Sequence, residues 1–415
     1  MTPTVTELLL ARAADPSTGL LFEDRRWSWA DHVQACAGHA AALTAMLRPG
    51  GHFGLLADNI PEFSFLLGGA ALSGHVLVGL NPTRRGTALA RDVALADCEM
   101  VFAEDRYLPL LSEAGVPVLP LSDLEPLREA VVPVAAKPED LLMLIFTSGT
   151  SGDPKAVRCT HGKVAYPGAM LATRFGLSTQ DTAYVSMPMF HSNAIMAGWS
   201  VGLASGAGIA LRRRFSASGF LPDVRKFGAT YANYVGKPLS YVLSTPERDD
   251  DADNPLKLVY GNEGAEADLA VFGTRFGCHV VDAFGSTEGG VNFGRDAGTP
   301  AGSLGRLLDG VAILAPETGK PCPPAEFDAC GKPLNAAEAV GELVNTGGAG
   351  EFAAFVVAQG DLGPKQRPRF VRVVEALPRT ATHKVLKREL AAEGVAEAWE
   401  VRYPGTRRRS QGRDR

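Results

Sequence analysis

Apolar residues follow two alternating patterns along this chain of 415 residues. Helical spacing of the apolar residues in TELLLARAA and WADHVQACAGHAAALTAML predicts amphipathic helices. Short apolar runs that end in turn-forming residues predict buried strands. These runs are HFGLLAD, HVLVGL, MVFAED, VPVLPL, AYVSMPMF, GIALRRRF, ATYANYVG, LKLVYGN and HVVDAFG. Helices and strands that alternate in this way indicate an α/β fold.

No stretch has the length and apolarity of a membrane span. The nearest, FLLGGAALSGHVLVGL at 65–80, is rich in glycine and contains His75. At the amino terminus, Arg12 and Asp15 interrupt a short leucine run that has no basic flank, so we expect no signal peptide. Any membrane contact is expected to be peripheral.

Composition changes this picture little. The chain is 46% hydrophobic and 21% charged, which is enough for a large core and favours more than one domain. Its 41 basic and 46 acidic residues give no reason to expect a nucleic-acid partner. Six scattered cysteines without a CxxC pair predict neither a zinc site nor a disulfide framework, and a cytoplasmic location fits them.

Charge is concentrated in two places. The run ERDDDADNP at 247–255 predicts a surface loop or cap. The last fifteen residues, 401–415, carry six arginines among turn formers, which predicts a solvated, disordered tail. An anchor for anionic lipid or phosphate is the alternative interpretation of this tail.

The stretch LLMLIFTSGTSGDPKAV, residues 141–157, is the strongest chemical signal. Leu141–Phe146 predicts a buried strand and KAVRCTH resumes a strand-like pattern, so the loop between them connects two strands. Glycines that let backbone amides face inward, hydroxyl donors and one lysine together predict a cradle for a polyphosphate. The cradle residues are Thr147, Ser148, Gly149, Thr150, Ser151, Gly152 and Lys155.

The ordinary P-loop pattern is not met here. The spacing from Gly149 to Lys155 is wrong for that pattern, and Ala156 follows the lysine where Ser or Thr is required. We therefore predict a different kind of phosphate loop. A flexible surface turn rich in serine and glycine is the alternative.

TSGTSGDPKAV is similar to the phosphate loop of the adenylate-forming enzymes, a superfamily of acyl-CoA synthetases, firefly luciferase and nonribosomal-peptide adenylation domains. DAFGSTEGG at 282–290 resembles the family's aromatic-Gly-x-Thr-Glu signature, and it follows a YGNEG turn at 260–264. LPRTATHKVLKREL at 377–390 is similar to the segment with the catalytic lysine, although His383 replaces the usual glycine. YANYVGKPLSYVLSTPERDDD resembles the fatty-acid transport protein and very-long-chain acyl-CoA synthetase branch.

This resemblance, which extends from Thr6 to about Val395, implies ATP, Mg²⁺ and CoA as partners together with a fatty acid. The loop at 147–155 would hold the β- and γ-phosphates and Thr287 the α-phosphate. Phe284 would stack on adenine, and Glu288 with Thr150 would hold the Mg²⁺. The remaining implied nucleotide contacts are Asn262, Glu263, Gly264, Gly285 and Ser286.

Two further residues are implied to act on the acyl carboxylate. His191 corresponds to a position beside it, but a lone histidine among apolar residues is equally well a hydrogen-bonded core residue. Lys384 would reach the carboxylate and α-phosphate oxygens. The alternative is the basic face of an amphipathic helix, since Lys387 and Arg388 follow at helical spacing. The stretch TYANYVG would line the acyl tunnel.

The chain also departs from the family. After VGELVNTGGAGEF at 340–352 a member would contain a Thr-Gly-Asp, whose aspartate holds the ribose, then a hinge and most of a mobile lid. No such tripeptide occurs in the sequence, and too few residues separate Phe352 from Lys384 to contain that segment. Phe352, Phe355 and Val356 have helical spacing and predict a helix that leads to a strand at RFVRVVEAL.

We therefore predict an α/β protein with a large multi-sheet adenylation domain over 1–345 and a truncated lid over 346–400, followed by the tail. The predicted activity is that of a fatty acid–CoA ligase, with thioester formation impaired more than adenylation. A non-catalytic remnant that binds ATP or acyl-adenylate is the alternative. A nicotinamide dehydrogenase is disfavoured, because GAGIAL at 206–211 lacks the last glycine of G-x-G-x-x-G. The sequence leaves the oligomeric state open.

Overall fold

The computed structural model describes residues 2–127, 131–147, 155–285, 293–294, 311–315, 318–328, 332–345, 370–371 and 399–400. The chain divides into two compact units. The first contains Met1–Glu288 and Gly294–Gly305, and the second contains Gly289–Phe293 and Arg306–Arg415.

The strands of the first unit, in chain order, are β1 Thr18–Phe22, β2 Arg25–Ser28, β3 His52–Leu56, β4 Val76–Gly79, β5 Cys98–Ala103, β6 Val118–Pro120, β7 Leu141–Thr147, β8 Lys155–Thr160, β9 Thr182–Val185, β10 Gly208–Leu211, β11 Tyr231–Val235, β12 Leu258–Asn262 and β13 His279–Phe284. The division between the units falls within the next strand, β14 Phe293–Gly294.

The helices of the first unit are α1 Val5–Leu10, α2 Trp29–Met46, α3 Pro61–Ser73, α4 Gly86–Leu95, α5 His161–Phe175, α6 Ser192–Ala194, α7 Ser200–Ser205, α8 Ala217–Phe227, α9 Pro238–Leu243 and α10 Glu266–Phe276. A π-helical turn, Ile195–Trp199, joins α6 to α7, and short 3₁₀ helices span Asp105–Leu111 and Leu121–Asp123.

The strands form two sheets. The six-stranded sheet has the order β6-β5-β3-β4-β7-β8, in which only the β7–β8 pair is antiparallel. The eight-stranded sheet has the order β14-β13-β12-β11-β9-β10-β1-β2 and is parallel from β13 through β1. Parallel sheets of this kind are covered on both faces, and all four residues of β4 and of β10 are buried.

Local signals in the sequence explain several element ends. Ser28 and Asp31 form a reciprocal capping box that starts α2. Pro61 starts α3, which ends at Gly74 in the left-handed conformation (φ 74°). The apolar stretch at 65–80 is thus the end of a helix, a turn and β4. In the part of the chain that the structure describes, no helix is long and apolar enough to cross a membrane.

These elements confirm the predicted α/β class and a strand in each of the predicted apolar runs. The acidic run at 247–255 forms a loop, as predicted, but one of its members points inward. Asp251 is buried, and its Oδ2 lies 2.6 Å from Nε of Arg275, whose side chain is 7% exposed. Five of the six cysteines are described, and no disulfide joins any two of these five.

The described part of the second unit is small. It contains an antiparallel pair, β15 Val311–Leu314 with β16 Glu342–Asn345, and a second pair, β17 Phe370–Val371 with β18 Trp399–Glu400. A short helix, α11, spans Ala336–Ala339. The helix predicted from Phe352, the Lys384 segment and the tail at 401–415 lie outside the described residues, so the domain boundaries and the truncated lid stay predictions.

Candidate functional site

The phosphate-loop candidate lies at the tip of a β-hairpin. β7 and β8 pair from Leu141 with Thr160 to Thr147 with Lys155, so the two ends of the loop are directly opposite each other. Thr147 is half-buried and Lys155 is exposed. The prediction of a loop between two strands is confirmed, but its central residues lie outside the described ones. They are Ser148, Gly149, Thr150, Ser151 and Gly152.

Three parallel strands bring the nucleotide-wall candidates to one edge of the eight-stranded sheet. Val235 of β11 pairs with Asn262 of β12, which pairs with Ala283 of β13. The side chain of Asn262 donates from Nδ2 to the Ala283 carbonyl at 2.7 Å. Phe284 follows at the end of β13 with 43% of its surface exposed. Ligands of α/β sheets bind at this carboxyl edge.

The turn after β12 has an unusual backbone. Glu263 adopts a left-handed conformation with φ 62°, which is costly for a residue with a Cβ and is typical of functional turns. The next amide, of Gly264, donates to Oδ2 of Asp282 at 2.8 Å. A Cβ on Gly264 would lie only 2.7 Å from Leu269 and 2.9 Å from Asp282 Oδ2, so any larger residue here would displace these side chains. The predicted wall of Asn262, Glu263 and Gly264 is therefore one tight turn beside Phe284 and Gly285.

His191 lies in the connection that follows β9. Strand β9 has β10 on one side and β11 on the other, so the order in which strands are added to the sheet reverses at β9. Such a switch point is where a crevice for ligands opens at the carboxyl edge of an α/β sheet. The backbone amide of His191 donates to the Pro188 carbonyl at 2.9 Å, which closes a turn just before α6.

Two asparagines hold the His191 connection at its ends. The buried side chain of Asn59, which follows β3 of the other sheet, donates to the Met187 carbonyl at 2.8 Å and accepts from the Met189 amide at 2.8 Å. Beyond His191, Asn193 donates from Nδ2 to the Tyr234 carbonyl of β11 at 2.8 Å. Side-chain hydrogen bonds thus fix a loop that lies between the two sheets.

The surroundings of His191 keep it uncharged. Burial lowers its pKa from the ordinary value of 6.5, so the imidazole is neutral at pH 7. The ring of Phe190 lies 4.6 Å from its ring, centroid to centroid. The Cα of Phe190 is 3.1 Å from the place that a Cβ on Gly79 would occupy, and Gly79 pairs with Ile145 of β7. His191 therefore lies near the strand that leads into the phosphate-loop candidate.

The strand expected to line the acyl tunnel is packed against the π-helical turn. Tyr231 is fully buried and donates from its hydroxyl to the Ala197 carbonyl at 2.6 Å. Asn233, on the same face of β11, donates from Nδ2 to Oδ1 of Asn193 at 2.6 Å. π-Helical turns occur frequently at functional sites. The tunnel itself stays a prediction.

The structure thus brings together Asn262, Glu263, Gly264, Phe284 and Gly285 at one edge and connects that edge to the His191 segment through Tyr234. Ser286, Thr287, Glu288 and Lys384 lie outside the described residues. Glu288 and Thr150 are the expected Mg²⁺ ligands, so the metal site stays a prediction; within the described ranges no three acidic, histidine or cysteine residues cluster as a metal site would.

Sequence reasoning missed the residues that hold the site in place. Asp282 belongs to the DAFGSTEGG motif, but its role becomes clear only from its hydrogen bonds with Tyr234 and Gly264 in the folded chain. Asn59 and Asn193 had no sequence signal at all, since their partners are carbonyls and amides distant in sequence.

Two sheets, a β-hairpin at the position of the predicted phosphate loop and a tight turn beside an exposed aromatic are the features expected of the adenylate-forming enzymes. The family model described as AMP-binding enzyme matches residues 11–348, and the chain belongs to this family. The resemblance stated from the motifs is confirmed, and so is the fold of the large domain.

Named relatives cover most of the chain. The medium/long-chain-fatty-acid–CoA ligase FadD17 of Mycobacterium marinum is 45% identical over an alignment of 488 positions. The alignment covers 95% of this chain and 97% of that protein. The steroid-22-oyl-CoA synthetase of Rhodococcus jostii is 38% identical over 85% of this chain and 66% of its own. Long-chain fatty acid transport protein 2 of Rattus norvegicus is 33% identical over 68% of this chain and 50% of its own.

Solved structures share the fold. The N-terminal domain of FACL13 from Mycobacterium tuberculosis, bound to an inhibitor, matches with a TM-score of 0.68 at 22% identity, over 76% of this chain and 85% of that one. A double mutant of o-succinylbenzoate CoA synthetase from Bacillus subtilis matches with a TM-score of 0.67 at 19% identity, over 93% and 98% of the two chains.

The alignment with the Mycobacterium marinum relative bears on the departure from the family. Its 488 aligned positions exceed the 415 residues of this chain, so that relative contains residues without a counterpart here. The place of these residues, which we expect after Phe352, stays a prediction.

Proposed function

We propose that this chain is an ATP-dependent fatty acid–CoA ligase. The observation that carries the proposal is the meeting of the Asn262–Gly264 turn and the exposed Phe284 at the carboxyl edge of three parallel strands. Two walls of this kind suit a flat purine ring. The names of the relatives that cover 95% of the chain or more add support for the activity.

ATP would bind with its adenine between Phe284 and the Asn262–Gly264 turn. The β- and γ-phosphates would lie in the 147–155 loop, where Lys155 supplies a positive charge next to backbone amides. Thr287 would bond the α-phosphate. Glu288 and Thr150 would hold Mg²⁺, a hard cation that prefers carboxylate, hydroxyl and phosphate oxygens.

The fatty acid would place its carboxylate beside His191 and its chain along the β11 face that carries Tyr231 and Asn233. A neutral His191 is suited to this place, because it offers a hydrogen bond without the ion pair that would hold the carboxylate back from attack. Lys384 would balance the charge that builds on the α-phosphate oxygens. Any membrane contact of this protein would be peripheral.

The reaction has two steps. A carboxylate oxygen of the fatty acid attacks the α-phosphorus of ATP in line, and pyrophosphate leaves with the bridging oxygen. The thiol sulfur of CoA then attacks the acyl carbonyl carbon, its proton passes to solvent, and AMP leaves. Positioning and charge neutralisation supply most of the catalysis in the first step.

We propose that the second step is the weaker one in this chain. The family rotates its lid about a hinge to admit CoA, and the stretch between Phe352 and Lys384 has too few residues for the hinge and the full lid that the resemblance implies. Loss of the ribose aspartate removes charge-assisted hydrogen bonds worth roughly 1.5–3 kcal/mol each, so ATP should bind about ten- to a hundredfold more weakly than in a complete relative.

The test measures pyrophosphate release and acyl-CoA formation with palmitate on one preparation of the full chain. We expect pyrophosphate release to be faster than thioester formation, and both to be lost in Lys384→Ala. Equal, fast rates for both products would show that the short lid suffices. ATP binding without either product would support the alternative, a non-catalytic remnant.

A further inference from the structure

One buried carboxylate connects three elements behind the nucleotide wall. Oδ2 of Asp282 on β13 accepts a hydrogen bond from the Tyr234 hydroxyl at 2.5 Å and another from the Gly264 amide at 2.8 Å. Asp282 is 6% exposed and Tyr234 is 2% exposed. Hydrogen bonds are stronger in the low-dielectric interior of a protein than in water. Asp282 therefore joins β11, β13 and the turn after β12.

The same tyrosine also reaches the acyl side of the site. Its backbone carbonyl accepts from Nδ2 of Asn193 at 2.8 Å, and Asn193 is two residues beyond His191. A continuous path of hydrogen bonds and covalent bonds thus runs from the His191 segment through Tyr234 and Asp282 to Gly264. The two halves of the candidate site share one buried residue.

Two glycines show how closely these groups pack. A Cβ on Gly261 would lie 2.3 Å from the Tyr234 carbonyl oxygen and 2.4 Å from its ring. A Cβ on Gly264 would lie 2.8 Å from the Tyr234 hydroxyl. The tyrosine therefore fills the space that side chains on the turn would need, and it fixes where the turn can lie.

We propose that Tyr234 and Asp282 are positioning residues that hold the nucleotide wall and the His191 segment in the arrangement that in-line attack requires. The left-handed Glu263 is costly, so the turn persists only where neighbouring groups determine it. Misplacement of a reacting group by about 1 Å costs on the order of a hundredfold in rate. This inference rests on the proposed function, since it assigns the wall to ATP and His191 to the acyl carboxylate.

A merely structural role is the competing explanation, and the fold contains a matched control. Tyr184 of β9 donates from its hydroxyl to Oδ2 of Asp223 at 2.8 Å, and both residues are buried. Tyr184 and Tyr234 belong to the same hydrophobic cluster between the eight-stranded sheet and helices α8–α10. In the described structure, the hydroxyl–carboxyl bond of the control pair joins β9 to α8, and neither residue hydrogen-bonds the turn after β12 or Asn193.

The experiment compares Tyr234→Phe with Tyr184→Phe in the full chain. The Kd for ATP is measured by calorimetry, the KM for ATP and for palmitate and kcat by steady-state assay, and stability by urea unfolding. We expect Tyr234→Phe to raise the Kd for ATP about tenfold, which corresponds to roughly 1.4 kcal/mol, and to lower kcat. Tyr184→Phe should lose a similar stability and leave the ATP constants unchanged.

A second pair of variants keeps the test informative if Tyr234→Phe folds poorly. Asp282→Asn retains an oxygen that accepts from the Gly264 amide, whereas Asp282→Ala removes it. We expect Asp282→Ala to weaken ATP binding about tenfold and Asp282→Asn to restore most of that loss. If Tyr234→Phe and Asp282→Ala leave ATP affinity and kcat at the level of Tyr184→Phe, the positioning role is overturned.

The outcome also separates this inference from the proposed function. If the wild-type chain binds ATP but forms no acyl-adenylate or acyl-CoA, the ligase assignment fails while the calorimetric comparison still tests the nucleotide wall. If the wild-type chain is an active ligase and Tyr234→Phe matches the control, only the positioning role fails.

Discussion

The two sheets of the first unit contribute to the candidate site in different ways. The six-stranded sheet contributes one continuous segment, in which β7, a loop and β8 are closed by ordinary strand pairing from Leu141–Thr160 to Thr147–Lys155. The eight-stranded sheet contributes separate residues after β9, β12 and β13, and side chains hold them together. Asn59, Asn193 and Asp282 each bond backbone groups that are distant in sequence.

This difference predicts how each half can be damaged. Strand pairing holds the loop between β7 and β8, so a substitution there should weaken binding only if the residue contacts the ligand. The site residues of the eight-stranded sheet are held by side chains, so a buried side chain from either sheet should alter binding without contacting a ligand, because it determines where the binding residues lie. The predictions below test this contrast in order of expected effect.

The largest effect is expected in the loop. Lys155→Ala should weaken ATP binding about ten- to a hundredfold, because it removes a charge-assisted hydrogen bond worth roughly 1.5–3 kcal/mol. Lys137→Ala is the control, since Lys137 is equally exposed but precedes β7. Calorimetry gives both Kd values. Equal affinity in the two variants would mean that the hairpin does not hold the phosphates.

Asn59→Ala should weaken the binding of the fatty acid rather than that of ATP. It leaves the Met187 carbonyl and the Met189 amide without their partner and should loosen the loop that holds His191. We expect the KM for palmitate to rise about tenfold, the effect of losing roughly 1.4 kcal/mol, with the Kd for ATP unchanged.

The control for Asn59 is Asn254→Ala. Asn254 also makes two donor bonds and one acceptor bond to backbone groups, those of Asp251, Phe276 and Leu256, but it lies in the acidic loop away from the site. A rise in the KM for palmitate in both variants would show a general loss of stability. A rise in the KM for ATP in Asn59→Ala would contradict the prediction that Asn59 affects only the binding of the fatty acid.

The affinity for the fatty acid, which we place along the eight-stranded sheet, should depend on the length of the acyl chain. Each buried methylene contributes about 0.8 kcal/mol, so affinity for a fatty acid should rise about fourfold per methylene until the tunnel is filled. Competition binding with acids from acetate to palmitate measures this series. The assignment to the fatty-acid branch fails if acetate or an amino acid competes as well as palmitate.

The last prediction concerns buried histidines. Their protonation should affect the candidate site least, but it should clearly change the stability of the fold. Burial lowers the pKa of His32 to about 3 and that of His39 and His161 to about 4. The unfolded chain protonates these rings near pH 6.5 and the folded chain does not, so the unfolded state binds more protons. The free energy of unfolding should therefore be highest above pH 6.5 and should fall toward pH 4 by roughly 1.4 kcal/mol per pH unit for each histidine.

Urea unfolding between pH 5 and pH 7.5 checks this dependence. His32→Asn should reduce the slope of stability against pH, whereas His279→Asn, at an exposed position, should leave it unchanged. The same slope in His32→Asn and the wild-type chain would contradict the assignment of the slope to buried imidazoles.

Much of the fold could be predicted from the sequence because its signals are local. Apolar runs of strand length and helical spacing gave the α/β class, and the glycines and hydroxyl groups after Phe146 gave the hairpin loop. The Asn262–Gly264 wall was predicted only through family resemblance. Its physical cause, the left-handed Glu263 beside Asp282, depends on contacts between strands that are separated by many residues.

The same reason explains the residues that were missed. Asn59 is one polar residue at the end of an apolar run, and such residues usually end a strand or begin a helix. Its function depends on the loop after β9 lying opposite the carboxyl end of β3, which is a property of how the two sheets pack. Asp251 was missed similarly, because an acidic run predicts exposure, whereas its burial depends on the ion pair with Arg275 on α10.

The central claim is that this chain activates a fatty acid with ATP. Palmitate-dependent exchange of pyrophosphate into ATP tests it most directly, because exchange requires the acyl-adenylate step and no CoA. We predict exchange with palmitate that exceeds exchange with acetate and is reduced in Tyr234→Phe but not in Tyr184→Phe. Binding of ATP without exchange for any fatty acid would contradict the claim and identify the chain as a nucleotide-binding remnant.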